Sequence, residues 1–261
     1  MFKRVFIFAY GLISYAVFFA TFLYAIGFIG NFQIPGLVPV TLDGPPRADF
    51  VTALLIDLGL LSLFAVQHSL MARPFFKRWL TRFIPEPAER STYVLFSSLA
   101  LIALFIFWQP LGGMVWDVQD PNGRAVLLAL FAFGWLLVLV STFLINHFDL
   151  FGLRQIWLQL RGRPYTALKF GTPGPYKLVR HPLYVGWFFA FWATPVMTVT
   201  HLLFAVMTTA YILIAIQLEE RDLIDALGDD YRRYRERVPM VVPFLKRSRA
   251  TGAMPDSRAA N

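Results

Sequence analysis

Six long apolar runs constrain this chain more than anything else in its sequence: roughly 5–29, 50–71, 92–108, 126–145, 183–199 and 202–218. About 20 consecutive apolar residues cross a bilayer. Backbone facing lipid must satisfy its own hydrogen bonds, so such runs fold as helices. Pro195 interrupts the fifth run, and Thr200-His201 is a very short turn between the last two, which read as a helical hairpin. The composition agrees with a membrane protein. Of 261 residues, 57% are hydrophobic and only 15% charged, against about 25% charged in a soluble domain. The expected fold is an all-α polytopic membrane bundle with five to six transmembrane helices.

Basic residues orient the bundle. Lys3 and Arg4 precede the first run, Arg73, Lys77, Arg78, Arg82 and Arg90 follow the second, and Arg154, Arg161, Arg163, Lys169, Lys177 and Arg180 follow the fourth. The alternate connections carry Arg47 and Arg124 beside Asp43, Asp49, Asp117 and Asp120. The positive-inside bias places both termini in the cytoplasm, as an even number of crossings requires. The net charge of +8 is spread over loop edges, which argues against nucleic acid and for anionic lipid as its partner. With no cysteine, disulfides, thiolate metal sites and a cysteine nucleophile are excluded. The first run is too long for a removable signal peptide. Residues 246–261 read as a disordered tail.

Polar groups at membrane depth are costly and usually functional. Four islands stand out. Gln67-His68-Ser69 lies near the end of the second run. Asn146-His147-Phe148-Asp149-Leu150-Phe151-Gly152-Leu153-Arg154-Gln155 closes the fourth, and a Gly/Pro-punctuated connector follows over 159–174. Gly174-Pro175-Tyr176-Lys177-Leu178-Val179-Arg180-His181-Pro182-Leu183-Tyr184-Val185-Gly186-Trp187 opens the fifth. Pro182 suits a first helical turn, so Arg180 and His181 sit at a helix N-terminus that favours an anion. The sixth run ends in Glu219-Glu220. Adjacent helical residues point about 100° apart, so one glutamate can face inward. A break at Gly228 precedes a second amphipathic piece carrying Tyr231 and Tyr234.

In this order, Gly174-x-Tyr176, Arg180-His181-Pro182-x-Tyr184-x-Gly186, Glu219-Glu220-x-x-Leu223, Gly228-x-x-Tyr231-x-x-Tyr234 and Val238-Pro239…Pro243 resemble the isoprenylcysteine carboxyl methyltransferase superfamily of membrane methyltransferases. Gln67-His68-Ser69, Glu89-Arg90-Ser91-x-Tyr93 and the stretch from His147 to Gln155 are similar to its methanethiol S-methyltransferase branch, which forms dimethyl sulfide. The resemblance implies one domain over 1–245, with membrane scaffold and substrate cavity in 1–146 and a cofactor-binding core in 147–245. It implies S-adenosyl-L-methionine as donor and a small apolar thiol as acceptor, with membrane lipids around a protein of the bacterial inner membrane.

On that resemblance Tyr176, Arg180, His181, Tyr184, Gly186, Trp187, Glu219, Glu220, Tyr231 and Tyr234 bind the donor. Arg180 and the start at Pro182 take its carboxylate, and one glutamate takes its amino group or ribose. Gln67, His68, Tyr93, Arg154 and Gln155 line the substrate side. The thiolate is the nucleophile, so a base is expected in His147 with Asp149, or in His181. No metal is expected. The alternatives are methylation of a lipid or prenylated cysteine, a haem-binding membrane isomerase-like protein, and a transporter, for which the chain lacks repeat halves.

Overall fold

The computed structural model describes residues 1–168 and 170–245; the expected tail over 246–261 lies outside the described residues. The long helices are α1 (Phe2–Ile29), α2 (Phe50–Ala72), α4 (Glu89–Phe107), α5 (Pro121–Ile145) and α9 (Val199–Leu227), all long and apolar enough to cross a membrane. Short helices α3 (Pro74–Leu80), α6 (His147–Leu150), α7 (Leu153–Leu160) and α10 (Asp229–Arg237) lie between or after them. The protein is an integral membrane helix bundle, with a shell of exposed Phe6, Leu55, Val66, Phe107 and Ile214 and a core built on Phe28, Leu104, Trp108, Ala205 and Ile216.

The fifth apolar run behaves differently from a plain span. Its helix, α8 (Pro182–Trp192), has 11 residues, which rise about 16 Å at 1.5 Å per residue against a hydrocarbon core of roughly 30 Å. Beyond it the chain extends through Pro195 into β2 (Val196–Thr198), which pairs antiparallel with β1 (Met114–Asp117) from the connection between α4 and α5. At that length the helix alone is too short to cross. The carbonyls and amides of the extended part are met by β1 and the residue after it, as in Val118 N–H to the Pro195 carbonyl at 3.0 Å and Trp116 Nε1 to the Thr194 carbonyl at 3.2 Å.

Helix association in lipid relies on close packing rather than on the hydrophobic effect, and α8 packs on α5 at paired glycines. A Cβ placed on Gly186 would meet the Gly134 carbonyl oxygen at 2.7 Å, and one on Gly134 would meet the Ala190 nitrogen at 2.6 Å. Gly186 therefore serves the α5–α8 contact, a correction to its expected place against the donor. The end of the bundle away from α8's start is capped by the 30–49 connection. There Trp108 Nε1 donates to the Leu42 carbonyl at 3.0 Å, Asn31 pairs with Asp43, and Thr198 donates to Asp43.

Candidate active site

The start of α1, the end of α5, the start of α8 and the segment around α10 lie at one end of the bundle, and the polar islands gather there. Glu220 is buried there, 2% exposed. One carboxylate oxygen accepts from Arg180 Nε at 2.6 Å and from His181 Nε2 at 3.0 Å, and the other pairs with Arg235 Nε at 3.1 Å. Arg180 also donates to the carbonyls of Val238 at 2.6 Å and Arg235 at 3.1 Å. The Arg180 and His181 amides bond the carbonyls of Pro239 and Met240 at 2.8 and 3.1 Å. Arg180 is thus a strap between α8, α9 and the segment after α10, where the sequence assigned it a ligand carboxylate. Its charge is met by Glu220, a partner it shares with Arg235.

Glu219 faces elsewhere. Its side chain is 44% exposed, and Tyr184 donates to its Oε2 at 2.9 Å. Nearby, Trp135 Nε1 is buried without a hydrogen bond, and Tyr176 Oη and Ser141 Oγ have each other as polar neighbours. A buried donor left unpaired costs about 1–3 kcal/mol, and these groups can meet a polar ligand. Aromatic faces frame it. Trp135 and Trp187 meet edge to face at 5.1 Å, and Trp187 stacks on Phe191 at 5.3 Å. Tyr234 Oη donates to the Tyr176 carbonyl at 2.6 Å, and Tyr231 is 2% exposed beside it. Burial pushes the Tyr234 hydroxyl up to about 12 and raises Tyr176 and Tyr231 as well. All three are neutral donors at physiological pH.

The Gln67–Ser69 island joins this face. Tyr93 Oη lies 2.8 Å from His68 Nε2, and Ser97 Oγ lies 3.1 Å from Nδ1. Ser69 bonds Tyr211 at 3.1 Å. Tyr211 and Glu219 are both within electrostatic reach of Tyr93, and Tyr93 and Tyr211 of Tyr184. Tyr211 was missed in the sequence. It precedes Glu219 by eight residues on α9, which is the same helical face.

The His147 island is a separate bracket. His147 is 3% exposed, with Tyr15 Oη 2.8 Å from Nε2 and Thr142 Oγ1 2.8 Å from Nδ1. Because Thr142 donates its hydroxyl proton to the Leu139 carbonyl at 2.7 Å, Nδ1 carries the ring proton and Nε2 accepts from Tyr15. Phe143 stacks on the ring at 4.3 Å, and Phe151 packs at 4.7 Å. Asp149 holds Arg154 at 2.9 Å, Arg154 also reaches Thr166, and Gln155 donates to the Asp149 carbonyl at 3.1 Å. The segment docks on α1, where Gly11 lies against Ile156. Both His147 nitrogens are bonded in the chain and Asp149 holds Arg154, so in this arrangement the expected base and its partner serve the packing of the bracket. Arg154 and Gln155 likewise serve the bracket rather than the Glu219 face.

Burial holds the His147 imidazole below the ordinary histidine range. Its unfolded form binds a proton more readily, so stability from this site is full above about pH 6.5 and erodes as pH falls below it. The melting midpoint of the wild type is expected to drop between pH 7 and pH 5 by more than that of His147→Gln, as read by differential scanning fluorimetry in detergent. Parallel curves for the two proteins would remove His147 as the source.

The remaining histidine, His201, donates from Nε2 to the Phe191 carbonyl at 2.9 Å, at the far end of the bundle. No two histidines face each other, and no group of metal-binding side chains occurs among the described residues.

A family model described as phospholipid methyltransferase matches residues 124–229. A methanethiol S-methyltransferase from Crocosphaera subtropica is 57% identical over 93% of this chain and 94% of its own length. One from Mycobacterium tuberculosis is 53% identical over 94% of this chain and 99% of its own length. Methanethiol S-methyltransferase 1 of Bradyrhizobium diazoefficiens is 52% identical over 92% and 82%. No solved structure matches the chain.

Proposed function

The chain belongs to the methanethiol S-methyltransferase family, and from that membership we propose that it methylates methanethiol to dimethyl sulfide with S-adenosyl-L-methionine as donor. The observation that carries this reading is identity above one half over nearly the whole length of both proteins. The donor fits the residues present. When bound, it supplies a methyl group on a sulfonium, together with an amino-acid end and an adenine.

Glu219 and Tyr184 meet its cationic end, and Tyr176, Ser141 and Trp135 offer donors to its polar groups. Trp187 and Tyr184 present ring faces, which favour a positive charge. Arg180, His181, Glu220, Tyr231 and Tyr234 hold the wall behind them by pinning the segment around α10. The chain's main contribution to rate is alignment of thiol and methyl group, which lowers the barrier by positioning. Gln67, His68 and Tyr93 stand on the thiol side.

The same reading places the protein in the bacterial inner membrane with both termini and the donor face in the cytoplasm, where the basic connections lie. A small apolar thiol reaches the site through the bilayer. Membranes carrying the protein, given methyl-labelled donor and methanethiol, are expected to release labelled dimethyl sulfide into the headspace. Absence of labelled product would sink the assignment.

A further inference from the structure

A cavity of about 320 Å³ opens between the connector that precedes α8 and one face of α10. Asp230, Arg233, Tyr234 and Arg237 line it from α10, at the i, i+3, i+4 and i+7 spacing of a single helical face. Phe170 and Tyr234 form aromatic walls, with ring centroids 5.6 Å apart and planes at 70°. The Tyr234 hydroxyl is already donated to the Tyr176 carbonyl at 2.6 Å. Neither Glu219 nor Tyr184 lines this cavity, which sets it apart from the donor face.

The charges around it do not balance. Lys177, Arg233 and Arg237 face one carboxylate, Asp230. Arg233 donates one Nη2 bond to Asp230 at 2.6 Å, which leaves most of its five N–H donors unused. Among the described residues, no carboxylate lies within ion-pair distance of Lys177 or Arg237. Thr172 adds a hydroxyl. Like charges gathered on one cavity repel, and a bound anion relieves that repulsion. Arginine meets a phosphate with parallel N–H bonds and lysine meets it as a point charge. The volume equals roughly ten waters at about 30 Å³ each, which is room for a phosphate and a small headgroup.

We propose that this cavity is a binding site for a phosphate group, supplied by an anionic phospholipid of the surrounding leaflet. The chain on either side of it turns apolar side chains outward: Phe170 and Leu178 in the connector, and Val242, Phe244 and Leu245 beyond α10. Exposed apolar groups beside cations suit the edge of a bilayer, where acyl chains and anionic headgroups meet them together. A free phosphate would use the cations and leave the apolar groups in water. Bound there, the phosphate ties Lys177 to Arg233 and Arg237 and so closes the connector on α10. Tyr176 precedes Lys177, and the Tyr234 bond to its carbonyl spans the same joint. The anion braces that joint from outside, whatever occupies the Glu219 face.

The test uses the full chain in phosphatidylcholine nanodiscs, with or without phosphatidylglycerol, at matched ionic strength. Phosphatidylcholine also carries a phosphate, but its quaternary ammonium cancels the charge that the cations meet. Limited chymotrypsin digestion reads cleavage after Phe170, which requires the connector to leave α10. A ligand at about ten times its dissociation constant slows such a cut about tenfold. Phosphatidylglycerol is expected to slow it by that factor in wild type and in Arg232→Gln, and to have no effect in the double variant Lys177→Gln, Arg237→Gln. Arg232 controls for charge alone, since it lies on the same helix, pairs with Asp229 at 3.5 Å and does not line the cavity.

Inorganic phosphate added to the phosphatidylcholine discs separates the two sources. Protection by phosphatidylglycerol and not by inorganic phosphate assigns the site to lipid, and protection by both keeps the site and adds a soluble ligand. No protection by either anion would overturn the proposal. So would equal loss in Arg232→Gln, which marks diffuse attraction to the bilayer. A double variant cut faster than wild type before any anion is added has lost packing, and that also overturns it. Protection by S-adenosylhomocysteine that vanishes in the same double variant would give the cavity to the donor and end the proposal.

Discussion

Glu220→Ala is expected to leave the C-terminal segment undocked and to lower turnover by at least about 100-fold. Glu220 receives three charged or polar donors, from Arg180, His181 and Arg235, at 2.6, 3.0 and 3.1 Å. The Arg180 side chain is itself only 9% exposed. Removing one partner of a buried ion pair costs about 3–5 kcal/mol, because the other charge stays buried and uncompensated. Most of that cost falls on the contacts joining α10 and residues 238–240 to α8 and α9, not on the spans, which pack independently of it.

Limited trypsin digestion reads this directly. In the variant, cleavage at Arg232, Arg233, Arg235 and Arg237 should become fast while α1 to α5 remain protected. Glu220→Gln, which keeps one acceptor oxygen, should fall between the two. Wild-type trypsin resistance and turnover in Glu220→Ala would show that the ion-pair network does not hold the segment.

The bundle was legible in the sequence because lipid allows so few backbone solutions. Five of the apolar runs became helices close to the boundaries that their hydrophobic stretches suggest, for example 126–145 against Pro121–Ile145. The run over 183–199 shows the limit of that reasoning. Hydropathy is blind to where a helix ends, and the stop at Trp192 comes from Pro195 and from the strand pairing with Met114–Asp117, a partner distant in sequence. Gly228 was readable as a break, and the chain does turn there with φ 60° and ψ −130°, a conformation that suits glycine.

The site was readable in its members more than in its wiring. Glu219 and Glu220 were both marked, and a signal for choosing between them was present: Ile212, Ile216 and Glu220 recur at i, i+4 and i+8, and the first two are core residues. The inner glutamate continues that stripe. Arg180 was given to a ligand because an arginine at a helix N-terminus looks available. Its true partners, Glu220 and the carbonyls of Arg235 and Val238, lie 40 to 58 residues away. His147 and Asp149 looked like a base and its orienting acid. Only the positions of Tyr15 and Thr142 reveal that the imidazole is already satisfied. Spacing along one segment says nothing of what another segment brings to it.

Glu219→Gln separates the two glutamates by effect. The substitution is isosteric, and its amide oxygen can still accept from Tyr184, which donates to Glu219 Oε2 at 2.9 Å. What it removes is a negative charge at the face that Tyr184 and Tyr176 share with Glu219. A hydrogen bond to a charged group contributes about 1.5–3 kcal/mol. With 44% of the side chain exposed, solvent screening brings the expectation to the lower end of that range, or about tenfold in affinity. Calorimetry should therefore show S-adenosylhomocysteine binding roughly tenfold more weakly in the variant, because that ligand keeps the donor's amino group. The deficit should narrow as salt is raised, as it does for any partly exposed charge. The melting midpoint and the trypsin pattern should match wild type, in contrast to Glu220→Ala. Unchanged affinity in Glu219→Gln would move the donor off this face of α9 and leave Glu219 as a surface residue paired with Tyr184.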